Sequence, residues 1–354
     1  MKILMLVNWK IEYTDKIPAD KQPPDYYIKG EDYWFFRYFK NKKDIQVDVV
    51  DIRSFQALEN FEQNKIRFYV WQTLKILPKL KNYDLVLSHG MQSGIVLCLW
   101  RRLFGKGRYK HIVFDIGAFN SAREEGKALK LMQFASKTLD GVIYHTAIQK
   151  EYYRKCHPWL LDKSRYITFG TDAEYFTTQE IKRGAEEPYI LTFGYDKRDW
   201  DTLLKAYDKL DTDIPLRLIG NKEIQTKNSQ VEIWDKVNIV ELKKQIKNAV
   251  FCVLPLKSFH YSYGQMTLLQ QMALKKAVVV ADVPSIRAYF KNNNMLLYES
   301  ENVEMLREQM QKLIDRVDLR EKIEANAEKT VKEIFNEKNM ALEIEKMIMS
   351  TMEK

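Results

Sequence analysis

Two adjacent cations, Lys197 and Arg198, follow Gly194 after a gap of two residues, and Gln265 and Met266 follow Gly264 at the head of a helical pattern. Both groups can receive an anion: cationic side chains attract a phosphate directly, and the unpaired N–H groups of a helix start hydrogen-bond it. Gly264 lacks a Cβ, so backbone and ligand can approach closely there. Ser262 can hydrogen-bond a sugar hydroxyl, and the Gln270 amide both donates and accepts. His89 and Asp115 are titratable residues at the ends of apolar runs, where a general base would reach a substrate or an acid would orient a hydroxyl. Each has a plainer alternative. Lys197 and Arg198 also fit a solvated turn, Gln270 a helix surface, and His89 and Asp115 internally bonded structural roles.

These residues need a scaffold that brings strand ends together. FCVLPL (251–256) and AVVVAD (277–282) are continuous apolar runs of the kind that strands buried on both faces show, and QMTLLQQMAL between them has helical spacing. A strand, loop and helix in that order set the loop and the helix N-terminus at the carboxyl edge of a parallel sheet. The same alternation recurs along the chain. Strands are expected at 3–7, 47–52, 85–89, 111–116, 141–146 and 166–170, then at 189–194, 216–220, 237–240, 251–256, 277–282 and 295–299. The fold class is α/β, with two doubly wound Rossmann-like domains. The first spans 1–170 and the second 171–337, with the polar stretch 170–188 as linker.

Several of these segments resemble the retaining GT-B glycosyltransferases of family 4. Gln270-Gln271-Met272-Ala273 with Lys276-Ala277-Val278-Val279 matches the second half of that family's donor-sugar motif, and Gly194 with Lys197 and Arg198 resembles its diphosphate-binding glycine and basic pair. The resemblance implies that Lys197 and Arg198 neutralise a leaving nucleoside diphosphate and that Gln270 bonds the ribose. It implies that Gly30 and Asn221 approach the donor, that Asp115 lies near the transferred sugar, and that a helix at 338–354 crosses back onto the first domain. Two departures stand out: Ser262 and Gln270 replace the motif's two carboxylates, and Lys275 stands where the family usually has glycine. A lysine in a left-handed turn costs about 1 kcal/mol, so a locally different turn is expected there.

The chain has 354 residues, enough for two domains, and an ordinary globular composition with 45% hydrophobic and 30% charged residues. Three widely spaced cysteines form no CxxC pair, which points to a reducing, cytoplasmic compartment. No apolar run is long enough to span a bilayer. The five histidines show no ligand spacing, so neither a metal nor another cofactor is expected. Residues 1–170 carry 29 basic against 18 acidic residues, whereas 171–354 carry 28 against 30. The basic first half suits an anionic partner, and no nucleic-acid-binding module is recognisable. In LCLWRRLFGKGRYK (97–110), aromatic anchors lie beside Arg101, Arg102, Lys106 and Arg108. That is either a peripheral contact with an anionic membrane or a buried helix end with a basic loop. The expected activity is metal-independent, retaining transfer of a sugar from a nucleotide diphosphate sugar to a hydroxyl of a glycan or lipid-linked acceptor. Loss of both motif carboxylates keeps a second reading open, a catalytically silent GT-B subunit that binds a nucleotide sugar or a partner protein.

Overall fold

The computed structural model describes residues 1–117, 119, 124–177, 187–195 and 197–353. Asp196 and most of the linker, 178–186, lie outside the described residues. The strands in chain order are β1 (Lys2–Leu6), β2 (Glu12–Thr14), β3 (Tyr26–Ile28), β4 (Gln46–Val50), β5 (Leu85–His89), β6 (Lys110–Asp115), β7 (Gly141–Tyr144) and β8 (Ser164–Tyr166). They continue with β9 (Ile190–Phe193), β10 (Leu216–Ile219), β11 (Val231–Trp234), β12 (Cys252–Leu254), β13 (Val278–Asp282) and β14 (Leu296–Glu299).

Two six-stranded sheets result, ordered β4-β1-β5-β6-β7-β8 and β11-β10-β9-β12-β13-β14. Every pairing in both is parallel. The apolar runs that suggested buried strands are buried: all residues of β9, β10 and β12 lie inside. In each sheet the winding reverses once, between β1 and β5 and between β9 and β12. Such reversals leave a crevice at the carboxyl ends of the two strands, and ligands of open α/β sheets bind there.

The fold is GT-B, two Rossmann-like domains joined by two chain crossings that lie against each other. Thr171 N–H donates to Phe335 O at 3.0 Å and Glu337 N–H to Thr171 O at 2.8 Å. The approach is so close that a Cβ at Gly170 would lie 2.2 Å from Asn336 O, so only glycine fits. Asn336 caps the helix Glu337–Met352 by accepting from Asn339 N–H at 2.8 Å. That helix packs Met340, Ala341, Ile344 and Ile348 into the core under β1 and β5, with Ile3, Met5 and Leu87. Arg37 ties the crossings to the first domain, 2.7 Å from Asp172 and 3.0 Å from Glu337.

Three local expectations are corrected. The strand expected at 237–240 is a helix start: Asn238 accepts from Glu241 N–H at 2.9 Å and caps the helix Ile239–Asn248, while the edge strand is β11. Side-chain capping there outweighs the β-branched Val237, Ile239 and Val240. The expected strand 166–170 ends at Tyr166, because the chain turns into the crossing. Lys275 takes φ 56°, so the left-handed turn is kept in spite of its Cβ.

Candidate active site

The reversal between β9 and β12 gathers most of the residues singled out in the second domain. Gly194 ends β9 at φ 132°, a conformation suited to glycine, and a Cβ on it would meet the Arg198 guanidinium at 2.6 Å. Arg198 therefore lies flat on the strand end, with Nε donating to Phe193 O at 3.3 Å and Nη2 to Thr267 Oγ1 at 3.1 Å. Thr267 belongs to the first turn of the helix Gln265–Ala273. A guanidinium and a helix N-terminus thus converge on one point, which is the electrostatic arrangement that binds an anion. Gly264 enters that helix at φ 80°, and a Cβ there would lie 2.8 Å from Leu256 Cδ1. Lys197 is placed differently: its Nζ stands 4.5 Å over the Tyr261 ring. Beside this group, Gly220 packs against Gly194 O, and Asn221 Oδ1 accepts from Glu223 N–H at 3.0 Å in a local turn.

The loop before the helix reaches the first domain. Ser262 Oγ donates to Gln265 Oε1 at 3.1 Å, and Gln265 Nε2 donates across the cleft to Thr146 Oγ1 at 3.0 Å. Gln270 is buried and donates to Gln22 Oε1 at 3.2 Å, again across the cleft. Met266 is exposed. The Tyr261 ring lies on the backbone of Gly117, where an added Cβ would meet Cδ2 at 3.0 Å. Thr146, Gln22 and Tyr261 escaped the sequence reading. Thr146 was within reach of it, since it is a polar residue following a buried strand, the criterion that selected His89 and Asp115.

The first domain rearranges its candidates. His89 ends β5 at the β1/β5 reversal, with Nδ1 3.3 Å from Asn8 Oδ1 and its ring among Trp9, Trp34 and Phe114. Burial pushes its pKa down to about 3, so the imidazole is neutral at neutral pH. Asp115 does not line the cleft. It is fully buried, and its carboxylate accepts from Tyr153 Oη at 2.5 Å, Gln149 Nε2 at 2.9 Å and Gly117 N–H at 3.0 Å. Burial raises its pKa, and those donors pull the other way. Asp115 thereby holds the backbone of Gly117, against which the Tyr261 ring lies. Gly30 is also apart from the donor group: it lines a cavity beside β3 whose walls all belong to the first domain.

For Arg101 the buried helix end is the reading that holds. It is 2% exposed, pairs with Asp140 at 2.8 Å and donates to Thr138 O at 2.8 Å, so it braces the helix Met91–Phe104 from inside. Trp100, Leu103 and Phe104 on that helix are exposed, as is Phe134 on the neighbouring helix Lys127–Ser136. Among the described residues no group of three or more His, Cys, Asp or Glu could hold a metal ion. None of their helices is long and apolar enough to cross a membrane.

Residues 178–330 match the model of the family described as glycosyl transferases group 1. That match covers most of the second domain and less than half of the chain. The whole two-domain fold is similar to solved structures. Sucrose-phosphate synthase from Thermosynechococcus elongatus superposes at TM-score 0.70 with 14% identity over 99% of both chains. Anabaena HepE in complex with UDP gives TM-score 0.70 and 13% identity over 99% of this chain and 100% of that one. A glycosyltransferase from Rickettsia africae gives 0.68 and 17% over 98% of each. No curated protein matches the chain. The glycosyltransferase match falls on the domain that holds Gly194, Arg198 and Gly264, the residues with the anion-binding geometry.

Proposed function

We propose that this glycosyltransferase transfers a sugar from a nucleoside diphosphate donor to a hydroxyl acceptor, with retention at the anomeric carbon and without a metal. The observation that carries this reading is the meeting of Arg198 with the first turn of the helix Gln265–Ala273 at the β9/β12 reversal. As the glycosidic bond breaks, negative charge grows on the diphosphate; a fixed guanidinium and aligned backbone N–H groups stabilise that charge more than the ground state. Similarity to a solved structure holding UDP favours a uridine nucleotide, with guanosine as the other candidate. The resemblance to retaining family 4 enzymes implies that the leaving phosphate oxygen is the base that takes the acceptor proton. Hydrolysis and transfer assays with UDP-sugars and GDP-sugars in the presence of EDTA test this reading. Turnover of one donor is the expected result.

The second reading is a silent subunit, and one feature favours it: Gln265–Thr146 and Gln270–Gln22 hydrogen bonds join the domains across the cleft that a donor would enter. Tight nucleotide binding with no turnover of any donor would select it.

An anionic membrane is proposed as the place of action. Trp100, Leu103, Phe104 and Phe134 are exposed on two packed helices, Arg102 lies 5.2 Å over the Phe134 ring, and Lys106 and Arg108 are exposed beside them. Binding to acidic liposomes should fall with salt and fall further when Arg102, Lys106 and Arg108 are neutralised, each basic residue being worth about 1 kcal/mol. No sedimentation at low salt would overturn the membrane assignment alone.

A further inference from the structure

The long segment after β1 folds into a small parallel pair, β2 and β3, and leaves beside β3 an open cavity of about 370 Å3. Clefts that hold small ligands start at roughly this size. Tyr26, Tyr27 and Trp34 line it, with Glu31, Asp32, Arg37 and Lys42 among the charged groups. Tyr26, Tyr27 and Trp34 are all partly exposed. Trp34 takes φ 49°, a conformation that costs a bulky residue about 1–2 kcal/mol, and the fold retains it.

The charges decide what such a bowl can hold. Arg37 is matched by Asp172 and Glu337, and Lys42 by Asp32 at 3.0 Å. Each cation already has a carboxylate partner, so the bowl offers no surplus charge to a phosphate. A hydrocarbon tail would leave those ion pairs facing apolar surface without compensation. A neutral polyhydroxylated ring satisfies both halves. Its C–H faces lie on the electron-rich aromatic faces, and its hydroxyls accept from Lys42 and donate to Asp32.

Position links the bowl to the reaction. Trp34 lines the cavity, and its ring packs 5.6 Å, centroid to centroid, from His89 at the β1/β5 reversal. We propose that the bowl is a saccharide site that holds a pyranose ring of the acceptor, with the acceptor running past Trp34 toward His89. The acceptor role rests on the glycosyl-transfer reading above; saccharide binding in the bowl does not.

Saturation-transfer NMR with methyl glycosides of glucose, galactose, mannose and N-acetylglucosamine, run beside calorimetry with UDP and GDP, separates the two. We expect at least one glycoside to bind the native protein, to lose at least fivefold in signal with Tyr26→Ala, to weaken with Asp32→Asn, and to keep most of its signal with Tyr26→Phe. Nucleotide affinity should be the same in all four proteins, which also shows that the variants are folded. Absence of binding by every glycoside, or binding that survives Tyr26→Ala, overturns the proposal. So does binding abolished by Arg198→Ala, because the sugar would then lie in the donor cleft. Glycoside binding without affinity for either nucleotide would sink the glycosyl-transfer reading and leave the saccharide site standing.

Discussion

The two winding reversals of this molecule are built from different materials. At β9/β12 the working parts are backbone and one cation: two glycines at positive φ, a helix start and Arg198 laid against a strand end. At β1/β5 they are rings: His89 enclosed by Trp9, Trp34 and Phe114 beside an aromatic bowl. A diphosphate is the same in every nucleotide donor, and fixed N–H groups with a guanidinium recognise it whatever the sugar. Acceptors differ, and aromatic surface adapts to them. The first domain also carries the buried imidazoles, whereas the second domain's His260 is exposed.

The largest expected contrast between the domains is therefore in acid. Burial lowers the pKa of His145 and of His157 to about 4, and lowers His111 too. An imidazole with an ordinary value near 6.5 takes up its proton first in the unfolded chain, so this stability is complete above about pH 6.5 and is lost as pH falls toward 4. His145 and His157 are each worth up to about 3 kcal/mol. Hydrogen exchange at pH 7 and pH 4.5, both in the folded protein, should show the first sheet losing protection and the second keeping it after correction for intrinsic rates. Equal losses in both sheets would break the contrast.

The next effect concerns the donor side. Arg198→Ala should weaken nucleotide binding by about 2 kcal/mol, roughly thirtyfold, through loss of a charge-assisted contact. His89→Ala should leave nucleotide affinity within twofold. Calorimetry with UDP checks both, and equal losses would mean that the two reversals do not divide the labour. Gly264→Ala comes third. A Cβ at φ 80° against Leu256 should cost about 1–2 kcal/mol of stability in urea unfolding and lower nucleotide affinity as well. The smallest effect has the opposite sign. Lys275→Gly relieves a left-handed lysine at φ 56° and should stabilise the protein by about 0.5 kcal/mol, since the relief exceeds the added freedom of the unfolded chain only slightly.

What the sequence made legible follows the same division. Gly194, Arg198 and Gly264 are brought together by strand ends and a helix start, features set within a few residues, and periodicity finds such features. Lys275 shows the limit of local rules, since surrounding packing held the turn against its preference. In the first domain, contacts decide. Asp115 satisfied the strand-end criterion yet proved to be the anchor of the Gly117 loop, because Gln149 and Tyr153 arrive from a helix 34 and 38 residues away. Gln265 to Thr146 spans 119 residues and Gln270 to Gln22 spans 248, distances over which no spacing rule operates. The β2–β3 pair is missing from the strands expected from sequence because three-residue strands carry too little alternation to register.

The double crossing at Gly170 and Asn336 also sets an order of assembly. The second domain is one uninterrupted stretch and can fold as soon as it is synthesised. The first is not: the apolar face of β1 and β5 waits for the helix Glu337–Met352, made some 250 residues after β5. Until then Ile3, Met5 and Leu87 face solvent or a chaperone. A nascent chain stalled just after Phe335, once the helices Val303–Asp315 and Val317–Glu333 have joined the core of the second domain, should therefore carry one finished domain joined to another that cannot close its core.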